Sequence, residues 1–103
     1  MPVIHTSQEN FKKDLGEGLA VLTFSASWCG PCKMLAPVLE ELSSETEGIN
    51  FVKVDVDSNQ DLANEFSVMS IPSTFLMKNG EPIAKTMGFM PKEALADWIK
   101  DNK

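Results

Sequence analysis

Arginine is absent from this chain, and cysteine and histidine are scarce: two cysteines, Cys29 and Cys32, and one histidine, His5. All nine basic residues are lysines, set against 15 acidic ones, for a formal net charge of -6. Such a surface repels phosphate backbones and lacks the planar donor fork that reads guanine, which argues against nucleic-acid binding. Its ordinary consequence is solubility, with at most a weak steering of partners that have basic rims. Two cysteines are too few for the disulfide framework of a secreted mini-protein. The longest apolar run, Leu19 to Phe24, has the length of one strand. A membrane-spanning helix needs ~20 such residues, so no membrane span is expected. Met1-Pro2-Val3-Ile4-His5 has neither a basic region nor an apolar core. No secretory signal is therefore expected, and the location it implies is the cytoplasm. Repeats, low-complexity tracts, linkers and glycine-rich nucleotide loops are also missing, which predicts a single domain over 1–103.

What is present alternates between two periodicities. Val3 to His5 reads as a short first strand, and Thr6-Ser7-Gln8-Glu9 as a capping box with Thr6 at the N-cap. Phe11 and Leu15 lie one helical turn apart, and Gly16 and Gly18 end that helix. Leu19 to Ala26 is apolar on both faces, as a central parallel strand requires. A helix follows from about Cys29, with Leu35, Val38, Leu39 and Leu42 on its apolar stripe and Pro37 as a kink within it. Phe51 to Val56 is the third strand, and Asp57 or Ser58 caps a short helix carrying Leu62, Ala63 and Phe66. Asn79-Gly80 between Thr74–Lys78 and Pro82–Met87 predicts a hairpin. Pro91 opens a last helix that buries Leu95, Trp98 and Ile99. The order β-α-β-α-β-α-β-β-α predicts an α/β fold: a central mixed five-stranded sheet flanked by four helices. In such sheets a site lies beyond the carboxyl end of a central strand. The second strand ends at Ala26, and Trp28-Cys29-Gly30-Pro31-Cys32 follows at once.

The two cysteines are three positions apart, a spacing that suits a metal site or a redox pair. A metal needs three or four ligands, and the pair supplies two. No other cysteine exists, and His5 sits at the far end of the first strand, so no metal is expected. Two inert buried thiols at this spacing are the bland alternative. Redox chemistry fits the context better. Cys29 at a helix N-terminus meets unpaired N–H groups and the positive end of the dipole, which favour a thiolate. Cys32, one turn further in and more shielded, is placed to attack Cys29 once that sulfur has captured a target disulfide. Gly30 lets the backbone turn closely, and Pro31 stiffens the ring closed on oxidation.

The stretch from Phe24 through Trp28-Cys29-Gly30-Pro31-Cys32 to Pro37 closely resembles the active-site segment of the thioredoxin family. The likeness continues through Val52 to Asp57, Ser70-Ile71-Pro72-Ser73-Thr74, Lys78-Asn79-Gly80 and Gly88, in order and over nearly the whole chain. It implies a protein-disulfide reductase with the thioredoxin fold, recharged by a thioredoxin reductase and needing no cofactor beyond the Cys29–Cys32 disulfide. It implies that Cys29 attacks, that Cys32 resolves, and that Pro72 is a cis-proline facing the disulfide. Ile71 would offer backbone hydrogen bonds to an extended client segment. Trp28, Gly30, Pro31, Ser70, Ile71, Pro72, Gly88 and Phe89 would form the client surface, on a monomer acting on disulfide-containing client proteins. On composition alone, Met87, Phe89 and Met90 fit a core equally well.

The chain departs from that pattern at the centre. Where the family usually has a buried aspartate beneath the resolving cysteine, this sequence has Thr23, and Ser25 replaces the tryptophan two residues on. A carboxylate can take the resolving thiol's proton, whereas a threonine hydroxyl cannot at neutral pH. Thr23 in the bland case merely suits a buried strand, its hydroxyl bonded to backbone. The proton then leaves through water, or Lys53, if held away from water, accepts it as the neutral amine. These departures lend some support to a thioredoxin-like protein with a narrow client set or a non-standard reductase; a separate alternative is a non-catalytic binding subunit of an assembly.

Overall fold

The computed structural model describes residues 3–103. Its elements, in chain order, are β1 (Ile4–Thr6), α1 (Phe11–Leu15), β2 (Leu19–Ser25), α2 (Gly30–Glu45), β3 (Ile49–Asp55), α3 (Gln60–Glu65), β4 (Ser73–Lys78), β5 (Glu81–Met87) and α4 (Lys92–Asn102). The five strands lie in the order β1-β3-β2-β4-β5. β1 and β2 pair with β3 in parallel, and β4 is antiparallel to both β2 and β5. β2, buried along nearly its whole length and paired on both edges, is the central strand.

Side chains of a strand alternate between faces, and each face of this sheet has its own core. On one side Leu22, Phe24, Val52, Val54 and Phe75 meet Phe11 and Leu15 of α1 and Leu62 of α3. Edge-to-face packing of Phe66 against Phe11 and Phe75 closes that layer. On the other, Val21, Phe51 and Leu76 meet Leu35, Leu39 and Leu42 of α2 and Leu95 and Ile99 of α4. Each of these fully buried aliphatic and aromatic chains contributes about 1.5–3 kcal/mol of transfer free energy. Trp98 is half-buried and packs on the second core. Lys92 joins α4 to α2 through Glu45, 2.7 Å away, and Glu41, 3.5 Å away. The hydrogen bond to Glu45 raises its ammonium above the ordinary lysine value.

The Asn79-Gly80 turn forms as expected, with both residues at positive φ (51° and 83°), the signature of a type I′ hairpin. The Asn79 side chain also accepts the Gly18 N–H at 2.8 Å, fastening the hairpin to the start of β2. Pro82 lies on the edge strand, beside the register shift at Leu76/Met77, where its missing N–H is tolerated.

Two expected helix caps are corrected. Thr6 belongs to β1, paired with Val54, and its hydroxyl donates to the Asp14 carboxylate at 2.6 Å. α1 starts only after Asn10, so no Thr6–Glu9 capping box exists: strand pairing holds Thr6 before the helix begins. Likewise α3 is preceded by Asn59, not by Asp57 or Ser58, which are engaged elsewhere. Asn59 uses its buried amide to accept the Gln8 N–H and to donate to the Asp55 carbonyl, both at 3.0 Å.

Candidate active site

The carboxyl end of β2 delivers the chain to the cysteine pair. The Ser25 carbonyl accepts the Val56 N–H at 2.9 Å, which ties this end of β2 to the loop after β3. Cys29 is the N-cap of α2, in an extended conformation, and Pro31 occupies the first turn, where its missing N–H has no helical partner to lose. Cys29 Sγ accepts the backbone N–H of Cys32 at 3.2 Å. The two cysteines are joined as a disulfide across a Cα separation of 5.2 Å. The sulfur at position 29 thus takes the place a serine or aspartate oxygen takes in an ordinary helix cap. Once reduced, the same N–H and the helix dipole favour its thiolate.

Both cysteines are buried, at 5% for Cys29 and 3% for Cys32, so the expected difference in shielding is slight. Gly30 does not serve a close turn: a Cβ there would meet nothing within 4 Å, and its φ is not left-handed. The Ile71-Pro72 bond is cis, and the Ile71 carbonyl oxygen lies 3.8 Å from Cys29 Sγ. The Pro72 carbonyl accepts the Gly88 N–H at 2.8 Å, so the segment before β4 and the end of β5 meet beside the disulfide. Ala26, Cys29 and Cys32 form a small cluster with Val56 and Ile71 packed against it.

Several apolar side chains near the active-site sequence are exposed. Trp28 is 67% exposed, and Phe89 and Met87 are exposed rather than buried, while Met90 packs against the core. Ser70 and Pro31 are exposed, Ile71 and Gly88 half-buried, and Pro72 buried. Met34 and Met69, the latter 91% exposed, extend this set of exposed apolar chains and escaped sequence reasoning. Met69, in the segment between α3 and β4, carries no periodic signal, and Met34 is an exposed residue of α2. Asp57 was also missed: its carboxylate accepts the Trp28 indole N–H at 2.7 Å and fixes the ring's edge.

Thr23 lies fully buried on β2, and its hydroxyl pairs with the Thr74 hydroxyl on β4 at 3.2 Å, not with backbone. Ser25, where a large ring was missing from the sequence, lines an open cleft that Cys32 and Lys53 share. His5 lines the same cleft, so the first strand carries it toward the cysteine pair, not away from it. Among the described residues no group of three or more His, Cys, Asp or Glu side chains could hold a metal ion.

A cysteine pair at a helix N-terminus, close to a cis-proline and to exposed apolar side chains, is an arrangement for exchanging disulfides with other proteins. The thioredoxin family model matches residues 2–101. The chain belongs to the thioredoxin family. Thioredoxin from Staphylococcus saprophyticus is 46% identical over 97% of both chains. Thioredoxin from Bacillus subtilis is 44% identical over 96% of both. Among solved structures, a mutant thioredoxin from Halobacterium salinarum superposes with a TM-score of 0.91 at 32% identity, covering 98% of this chain and 90% of that one. The mixed five-stranded sheet with four helices is therefore the thioredoxin fold, and the chain is a thiol-disulfide oxidoreductase of the protein-disulfide reductase type.

Proposed function

We propose that the chain, acting as a single-domain monomer in the cytoplasm, carries electrons from a thioredoxin reductase to disulfides of client proteins. The observation that carries this reading is Cys29 at the N-cap of α2, its sulfur accepting the Cys32 N–H. In the dithiol form the Cys29 thiolate attacks a client disulfide, giving a mixed disulfide and one client thiol. Cys32 then attacks Cys29 Sγ, which closes the Cys29–Cys32 disulfide and releases the second client thiol. Two electrons pass to the client, and the reductase restores the pair. Clients dock as extended segments against the Ile71 backbone, over Trp28, Gly30, Pro31, Ser70, Pro72, Gly88 and Phe89. The apolar exposure of Trp28 and Phe89 supports that surface.

The test is dithiothreitol-driven reduction of insulin disulfides, comparing wild type with Cys29→Ser. Strong catalysis by wild type alone is expected. Catalysis absent on insulin but present on a restricted client would favour a specialised role, to which Thr23 and Ser25 lend support. Function retained in full by Cys29→Ser would favour a binding subunit.

A further inference from the structure

The register of the sheet sets a row of polar side chains across all five strands. His5 on β1 is the partner of Lys53 on β3, and Lys53 of Thr23 on β2. Thr23 is the partner of Thr74 on β4, and Thr74 of Thr86 on β5. Partners in adjacent strands project to one side of a sheet, so this row lies on the face shared with Val3, Val21 and Phe51, beneath α2. Its middle is dry: Thr23 and Thr74 are buried and bonded to each other. Its β1 end is open. A cleft of about 350 Å³ is lined there by His5, Ser25, Cys32, Lys33, Lys53 and Asp55. An adjoining cavity of about 150 Å³ shares His5 and Lys53 and adds Glu40. A cleft of that size with those polar walls has room and partners for several waters.

Cys32 must lose a proton to act as a nucleophile, and β2 offers no carboxylate to take it. The ionisable groups facing the cleft near His5 are Lys53 and Asp55 from β3, and Lys33 and Glu40 from α2. Ammonium groups ordinarily have no lone pair to offer at neutral pH, and exposed carboxylates, unlike a buried one, are ordinarily too acidic to hold a thiol's proton. An imidazole matches the task at neutral pH.

We propose that His5, acting through water in this cleft, receives the proton Cys32 sheds as it resolves the mixed disulfide. This rests on the reductase reading above. His5 stands two strand spacings from Thr23, roughly 10 Å between Cα atoms, so it acts through water and never touches the reacting sulfurs. The proton passes from Cys32 Sγ to water and on to the imidazole. The sulfur's electron pair forms the bond to Cys29 Sγ, the bond from Cys29 to the client sulfur breaks, and the client leaves as a thiolate that solvent protonates. The imidazolium at the exposed end of the row returns its proton to bulk water.

The experiment mixes the reduced protein rapidly with a self-quenched peptide disulfide and resolves mixed-disulfide formation from its resolution, from mildly acidic to mildly basic pH. His5→Gln is expected to slow resolution about three- to tenfold at neutral pH and to flatten its pH dependence through the neutral range. Formation of the mixed disulfide serves as the reference step. Added imidazole is expected to restore resolution in His5→Ala, which no structural role of the side chain would produce. Superimposable wild-type and His5→Gln profiles, or equal slowing of both steps, would overturn the assignment while leaving the reductase reading intact. Failure of wild type to reduce the peptide at all would overturn that reading and this one together.

Discussion

Thr23 and Thr74 face each other on antiparallel neighbours β2 and β4, their hydroxyls 3.2 Å apart and both side chains buried. The pair satisfies itself and leaves no base at the centre of the sheet. Placing a carboxylate there should help chemistry and harm stability. Thr23→Asp is expected to speed release of the client thiol about tenfold at neutral pH in single-turnover experiments. Burial disfavours the charged carboxylate, so the folded form holds its proton more tightly than the unfolded one. The variant's stability is then closest to wild type at low pH, below the unfolded carboxylate's value. It falls as pH rises toward the higher folded value, with a loss of about 2–4 kcal/mol at neutrality. Denaturant titrations at several pH values check this; a pH-independent difference from wild type would show that the carboxylate is not buried.

Trp28 is held by a hydrogen bond to the Asp57 side chain, yet it lies mostly in solvent. Such a bond adds little to stability, about 1 kcal/mol or less, and on the proposed client surface its effect lies in fixing a large apolar ring. Asp57→Ala is expected to leave the unfolding midpoint nearly unchanged and to lower kcat/KM for insulin reduction about two- to fivefold, mainly through KM. In a Trp98→Phe background, Trp28 fluorescence anisotropy should fall at the same time. An unchanged anisotropy would show that packing, not Asp57, holds the ring.

Asn59 joins three parts of the chain through one buried amide. Its oxygen accepts the Gln8 N–H and its nitrogen donates to the Asp55 carbonyl. Asn59→Ala orphans both groups and should cost about 2–3 kcal/mol. Asn59→Asp keeps the acceptor for Gln8 but sets a buried carboxylate against the Asp55 carbonyl, so it should cost at least as much at neutral pH and less in acid, where the carboxyl is protonated. Urea unfolding with an unchanged slope gives both values. A loss in Asn59→Asp that does not change with pH would mean that its carboxyl escapes burial.

The contrast between Cys29 and Asn59 shows what could be read from the chain. Cys29 is placed by local rules: a strand apolar on both faces, then a cap position, then a proline in the first helical turn, all within a dozen residues. Asn79-Gly80 is local too, since both residues must take positive φ and few others do so at low cost. Asn59, Asp57 and His5 follow no local rule. Asn59 bonds across 51 positions to Gln8, and Asp57 across 29 to Trp28. His5 reaches the cleft of Cys32 only because β1 pairs with β3 in one register; a shift by one residue would turn it to the opposite face. Thr6 failed as a cap for the same reason: strand pairing outweighed a short local pattern.

Gly16 ends α1 in a conformation that other residues reach only under strain, with φ 67° and ψ -167°. A Cβ at this position would also stand 2.9 Å from Asn50 Nδ2, whose amide donates to the Leu15 carbonyl at 3.0 Å. Gly16→Ala therefore combines backbone strain with displacement of a hydrogen bond that satisfies the end of α1. The expected loss is about 2–4 kcal/mol. Gly48 supplies the comparison. It too has positive φ, at 81°, but a Cβ there meets nothing within 4 Å, so Gly48→Ala should cost only about 1 kcal/mol. A double-mutant cycle between Gly16→Ala and Asn50→Ala isolates the steric part, because removing the Asn50 amide removes the obstacle. The double variant should be more stable than the sum of the single losses predicts, by about 1 kcal/mol. Strict additivity would assign the whole effect to backbone conformation.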